Sequence, residues 1–322
     1  MAMDVNENRL GLVEVVKRHD PDGNLATIAE VLNKSNDILA DAVWKESNDI
    51  YSNKTTRRSY LPTGSWRKFN SGVTKEASET VELVDVIGIL EAWSQNDKDM
   101  IDAFKDPTQA RMDEAVSFIE GLGQSMATAM VYGDASTDPE KFTGLAPRLD
   151  DIAATANVIN EGGTGSDLAS IFVVDWGPTS CYMIYPRNSV AGLEHIDRGV
   201  VEATDSSSNE FLAYLDIFKW KAGMVVKNHK SIGRLANIES AGSDNTFDEA
   251  NLITLLNRMT KGPGRRIYAN ETVLTQMEIL FNSTSNRYFT KSDGLAAGPV
   301  LSFKGVPVRQ LDALTITETA LT

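Results

Sequence analysis

The chain of 322 residues has one cysteine, Cys181, and three histidines, His19, His195 and His229, each isolated in sequence. A single cysteine excludes an intrachain disulfide. With no His-Glu-x-x-His pair, a zinc site would need unusual help from carboxylates. Cys181 precedes Tyr182-Met183-Ile184-Tyr185 in a strand-like run, where burial as a small hydrophobe is expected rather than a reactive thiol. Long apolar runs are missing too. Ile171-Phe172-Val173-Val174 is among the longest, far below the roughly 20 residues that span a bilayer. Met1 to Asn8 lack the basic start and apolar stretch of a signal peptide, so synthesis and assembly in a cytoplasm is the expectation.

Positive charge is scarce: 31 Lys and Arg stand against 45 Asp and Glu, a net charge of −14. That balance favours solubility and disfavours casual binding to phosphates. The basic residues at Arg57-Arg58, Arg67-Lys68, Lys219 to Arg234 and Arg265-Arg266 are scattered among acids and read as solvated faces or subunit salt bridges. Catalytic signatures are equally thin. No Gly-x-Ser-x-Gly elbow occurs. Gly162 to Asp167 has neither the lysine of a P-loop nor the spacing of a dinucleotide fingerprint, and reads as a flexible surface loop. Asp97, Asp99, Asp102 and Asp106 read as helix-start and surface acids. Asp97-Lys98-Asp99 lacks the Gly and final Glu of an EF-hand. No catalytic, cofactor or metal residue is expected.

What is present is organised along the chain. Residues before Asn24 form a polar arm with a turn at Pro21-Asp22-Gly23. Thr27-Ile28-Ala29-Glu30 has the form of a capping box, and Ile28, Val31, Leu32, Leu39, Ala42 and Val43 follow at helical spacing. Ser52 to Ser78 is rich in Lys, Arg, Thr, Ser and Gly, with Tyr60, Trp66 and Phe69 interspersed. Aromatics and arginines are enriched where chains bury surface against a partner. Arg57, Arg58, Tyr60, Trp66, Arg67, Lys68 and Phe69 are therefore the expected subunit-interface residues. Val81 to Leu90 has strand composition, predicting a projecting hairpin joined at Pro62-Thr63-Gly64. Its unpaired edges are a liability unless it lies on a neighbour.

A long helix follows, with Asp106 as N-cap and Pro107 in the first turn. Met112, Val116, Ile119, Met126 and Met130 share one stripe, with Ala115, Phe118, Leu122 and Ala129 beside it. Ending near Val131, the helix is about 37 Å long at 1.5 Å per residue. The stripe is expected to be core. Gly121 and Gly123 each weaken the helix by about 1 kcal/mol relative to alanine, and close packing there is the expected compensation. Gly133 to Pro147 is a loop. Beyond it, Ile171 to Trp176 and Cys181 to Tyr185 predict one hairpin, and Phe211 to Lys219 with Met224 to Lys227 another, with Gly223 near the join. Phe247 to Thr260 and Thr272 to Phe281 predict helices, and Val300 to Leu311 is extended. Strands and helices without regular βαβ alternation indicate an α+β fold.

In this order the segments resemble the Hong Kong 97-type capsid fold. Residues from Tyr51 to Trp93 resemble its extended loop, Pro107 to Val131 its spine helix, and Lys141-Phe142-Thr143-Gly144-Leu145 the short Gly-Leu element after that helix. Phe218-Lys219-Trp220-Lys221-Ala222-Gly223-Met224-Val225-Val226-Lys227, continuing to Arg234-Leu235-Ala236-Asn237-Ile238, resembles a segment of coat proteins from short-tailed phages. Gly264 to Asn270 and Lys304-Gly305-Val306-Pro307-Val308 fit the same group.

The resemblance implies a particular division. Residues 1–50 would form an N-terminal arm and helix, and 51–95 the extended loop. Residues 96–145 would form a peripheral domain with the spine helix, 146–270 an axial domain sharing strands with it, and 271–322 a return to the peripheral domain. It also implies a major capsid subunit assembling with itself into hexamers and pentamers of an icosahedral head around double-stranded DNA, in the bacterial host's cytoplasm and then the virion. Implied partners are a separate scaffolding protein, a portal and a cement protein, with DNA contacted weakly and without sequence specificity; no membrane and no cofactor are implied. An encapsulin-like cellular shell and an acidic soluble hydrolase are the alternatives.

Overall fold

The computed structural model describes residues 36–153, 155–205, 207–242, 244–283, 289–293 and 299–322. The arm and the capping box at Thr27 lie outside the described residues. In chain order the elements are α1 (Ile38–Asp41), β1 (Trp44–Glu46), β2 (Ser52–Tyr60), β3 (Glu79–Val86), β4 (Gly88–Asp97), α2 (Lys98–Asp102), α3 (Pro107–Tyr132), β5 (Val158–Asn160), β6 (Leu168–Asp175), β7 (Cys181–Tyr185), β8 (Leu193–Thr204), β9 (Glu210–Val226), β10 (Ile232–Glu239), α4 (Glu249–Arg258), β11 (Arg265–Ala269), α5 (Glu271–Ser283), β12 (Phe289–Asp293), β13 (Pro299–Phe303) and β14 (Val306–Gln310).

These strands form three sheets. Seven lie in the order β12-β13-β14-β11-β6-β10-β5, five form a sheet built on β9 (β1-β7-β9-β4, with β8 also on β9), and β2 and β3 pair with each other as a two-stranded sheet. Every residue of β6 is buried, as a strand with apolar side chains on both faces requires. One face, with Phe172 and Val174, packs into a core shared with α3, β7 and the end of β9. The other, with Ala169, Ile171 and Val173, packs beneath α4 and α5.

Two expected hairpins are not formed. β6 and β7 meet only at a Trp176–Cys181 bridge, because the turn at Gly177–Ser180 carries the chain from the seven-stranded sheet into the five-stranded one. Phe211 to Lys227 is no hairpin either: β9 runs through Gly223 without turning. That glycine is needed for close approach, since a Cβ there would meet the Val86 carbonyl oxygen at 2.6 Å. The expected helices and the extended C-terminal region are present as α4, α5 and β13–β14.

The sequence motifs that carry the resemblance have defined structural tasks. Arg234 donates to the Leu149 carbonyl at 3.0 Å and to the Glu318 carboxylate at 2.9 Å. Asn237 exchanges hydrogen bonds with the backbone of Leu321. The Arg-x-x-Asn pattern is thus a clamp for the C-terminal segment. Gly144 sits on the end of α3, where a Cβ would meet three carbonyl oxygens within 2.8 Å. Arg265 donates to the Leu256, Met259 and Thr260 carbonyls that end α4.

Candidate assembly surfaces

Among the described residues, the β2–β3 hairpin is fixed at its base and extends away from the body beyond it. Arg148 Nη2 donates to Asp85 at 2.7 Å, to the Thr143 carbonyl at 3.2 Å and to the Met224 carbonyl at 3.1 Å. One partly buried guanidinium therefore fastens β3 to the segment after α3 and to β9, in the fork geometry suited to arginine. The ladder ends with Tyr60 opposite Glu79, and residues 61–78 continue outward. The expected turn at Pro62-Thr63-Gly64 is instead a neck, where the amides of Thr63 and Gly64 donate to Glu76 at 2.9 and 3.2 Å. The chain reverses at Lys68–Ser71. The paired part ends at Val86, and β4 belongs to the five-stranded sheet.

All seven expected interface residues, Arg57, Arg58, Tyr60, Trp66, Arg67, Lys68 and Phe69, are exposed. Trp66 and Phe69 are 105% and 98% exposed. Leu61, Val73, Val81 and Val84 are exposed as well. So many solvent-facing apolar side chains in one segment are unusual on the surface of a lone soluble chain.

The spine helix shows a partial correction. Asp106 caps α3, accepting from the Thr108 and Gln109 amides. Met126 and Met130 are buried, but Met112, Val116 and Ile119 are 61%, 54% and 46% exposed. Helical spacing aligned five residues on one line without showing how far the core reaches along it. The C-terminal half packs against α1 and the central core. The N-terminal half meets the five-stranded sheet with other residues: Phe118 stacks on Phe218 at 5.6 Å, and Arg111 donates to Asp216 at 2.9 Å and pairs with Asp197 at 2.8 Å. Among the described residues the expected close packing at the helix glycines is not seen: a Cβ on Gly121 would meet none of them within 4 Å, and one on Gly123 only Leu39 at 3.9 Å.

Asp216, with its side chain 8% exposed, also contacts His195 at 3.0 Å. The Arg111 hydrogen bond holds Asp197 below its usual pKa. This cluster ties α3 to β8 and β9. Its members, like Arg148 and Asp85, lie too far apart in sequence for spacing to reveal them. Among the described residues no His, Cys, Asp or Glu group is arranged to hold a metal. Cys181 is fully buried, and burial pushes its thiol up to about 12. The Gly162 to Asp167 loop lies at the surface, exposed except at Gly163, where a Cβ would meet the Asn237 carbonyl oxygen at 2.4 Å.

The model of the major capsid protein GP7 family matches residues 20–322. The chain belongs to that family. A chain of the cryo-EM structure of bacteriophage Epsilon15 aligns with this GP7-family protein over 100% of both chains, with a TM-score of 0.78 and 29% identity. The bacteriophage JBD30 capsid covers 88% of this chain and 93% of its own, with a TM-score of 0.51 and 10% identity, a likeness of fold alone. The holo-SrpI encapsulin of Synechococcus elongatus PCC 7942 covers 74% of this chain and 100% of its own, with a TM-score of 0.47 and 8% identity. No curated protein matches. The GP7-family protein is a phage capsid subunit with the Hong Kong 97-type α+β fold, and the expected kinship with coat proteins of short-tailed phages holds.

Proposed function

We propose that this capsid subunit builds hexamers and pentamers by laying its β2–β3 hairpin across the neighbouring subunit, with Arg57, Arg58, Tyr60, Trp66, Arg67, Lys68 and Phe69 as the contacting residues. The observation that carries the proposal is the contrast along the hairpin, held by Arg148 at its base and fully exposed at Trp66 and Phe69. A closed shell repeats one contact at slightly different angles, and a long hairpin anchored only at its base suits that requirement. Met112, Val116 and Ile119 form a second apolar surface open to a neighbour. Hot-spot energetics favour the aromatic anchors over the surrounding polar contacts.

The remaining roles belong to the same reading. The subunit acts without catalysis, assembles in the host's cytoplasm around a separate scaffolding protein, and forms a head with a portal and a cement protein. The acidic balance of the chain suits an inner wall that holds packaged double-stranded DNA weakly. Deleting Pro62 to Ser71 tests the central claim. The expected product is a folded subunit that no longer forms shells in electron micrographs when expressed with its scaffolding partner. Normal particles from that deletion would refute the hairpin's role.

A further inference from the structure

The fold gathers basic residues that the sequence leaves scattered. Lys45 on β1, Lys54 on β2 and Lys227 just after β9 line one cavity of about 230 Å³, together with Asn48, Thr55, Thr56 and Tyr182. We propose that this cavity is an oxyanion site that takes a phosphate group, free or in a nucleic-acid backbone, on Lys45, Lys54 and Lys227.

The site is built rather than incidental. Asn48 accepts from the Lys54 amide at 2.9 Å and donates to the Lys54 carbonyl at 2.7 Å, fixing that backbone on both sides. Lys45 Nζ lies 5.4 Å from the centroid of the buried Tyr182 ring, a cation–π contact within the lining of the cavity. The Thr55 hydroxyl stands in the wall without a hydrogen-bond partner among the described residues. Beside Lys227, His229 is held below its usual pKa by burial and then by the positive charges of Arg57 and Arg148. Three lysines stand in this wall against one acid, Glu46, in a chain of net charge −14.

Two acidic groups are nearby, each holding neighbouring backbone or hydroxyl donors while its charge faces the lysines. Glu46, also in the wall, accepts from the Asn188 amide at 2.9 Å. Asp49 accepts from the Ile50 amide and the Ser52 hydroxyl. The ligand class follows from the donors. Planar, two-pronged carboxylates are matched by the arginine fork, whereas lysines converge on phosphate as compact charges with rotatable donors. Three lysines lining one cavity suit a tetrahedral dianion better than a single carboxylate.

Calorimetric titration of the full-length subunit with inorganic phosphate, and separately with a short duplex DNA, tests the site. Saturable binding is expected for at least one probe, weakened at least tenfold in K54Q/K227Q and retained in K54R/K227R, which keeps the charges should the first variant fold poorly. K68Q, on the distant hairpin tip, should bind as the unaltered protein does. Competition of phosphate against the duplex, with steep weakening in salt, identifies the nucleic-acid backbone as the source. Binding of phosphate alone identifies the free ion. Absence of binding by both probes, or equal binding by K54Q/K227Q, overturns the proposal. So does a K54Q/K227Q protein that binds both probes unchanged but no longer forms shells, which would assign the lysines to a neighbour's carboxylate.

Discussion

Arg234 and Glu318 form a buried ion pair, 2.9 Å apart with side chains 7% and 8% exposed, between a central strand and the C-terminal segment. Glu318 also accepts from the Tyr132 hydroxyl at 2.6 Å and from Ser170, so the spine helix joins the same cluster. Burial and the adjacent carboxylate together push the Tyr132 phenol well above its usual pKa, which keeps it a neutral donor.

Removing one member of such a pair leaves the other charged and desolvated. Glu318→Ala should therefore cost about 3–5 kcal/mol, measured as a lower midpoint of urea unfolding. Glu318→Gln retains the shape and some hydrogen bonds and should cost less. A loss below about 1 kcal/mol for the alanine variant would show that Arg234 finds other compensation.

The two halves of the spine stripe should respond oppositely. Met126→Ala and Met130→Ala empty buried volume and should each destabilise the subunit by about 2–5 kcal/mol. Met112→Ser and Val116→Ser touch exposed positions and should change stability by no more than about 0.5 kcal/mol, while reducing shell yield in sedimentation assays. Normal shells from the exposed pair would remove that surface from the assembly contacts.

Glu161 provides a pH test. Its carboxylate accepts from Asn251 Nδ2 at 2.8 Å, and burial raises it from an ordinary 4.5 to about 7, with Asp248 adding repulsion. The folded state then binds the proton more tightly than the unfolded state, so stability is greatest below the unfolded value and falls as pH rises from about 4.5 to 7. Glu161→Gln should melt at the same temperature as the unaltered protein near pH 4.5 and a few degrees higher at pH 8. A melting difference that does not vary with pH would contradict this assignment.

Local chemistry was legible in the sequence wherever one segment contains both partners. Asp106 and Pro107 mark the start of α3, and the apolar run in β6 marks a core strand. The exposed hairpin aromatics were recognisable because polar surroundings gave them nothing to pack on. Pairings set by the third dimension were not legible. Arg148 and Asp85 are 63 positions apart, and Arg234 and Glu318 are 84 apart. Neighbouring strands such as β6 and β7 suggest a hairpin by proximity, yet packing sends them to different sheets. Gly223 illustrates a related ambiguity, since a turn and a close backbone contact both call for glycine.

The 17-residue strand β9 gives the subunit a mechanical division of labour. Its first part is laddered to β4 and β8, and its last part to β7. Bending between these regions would break many hydrogen bonds at once, so the body transmits load as a stiff plate. The two-stranded β2–β3 ribbon, which among the described residues has no third strand beyond its anchored base, bends at far lower cost. Strain arising as a shell changes curvature would collect in that ribbon and spare the cores.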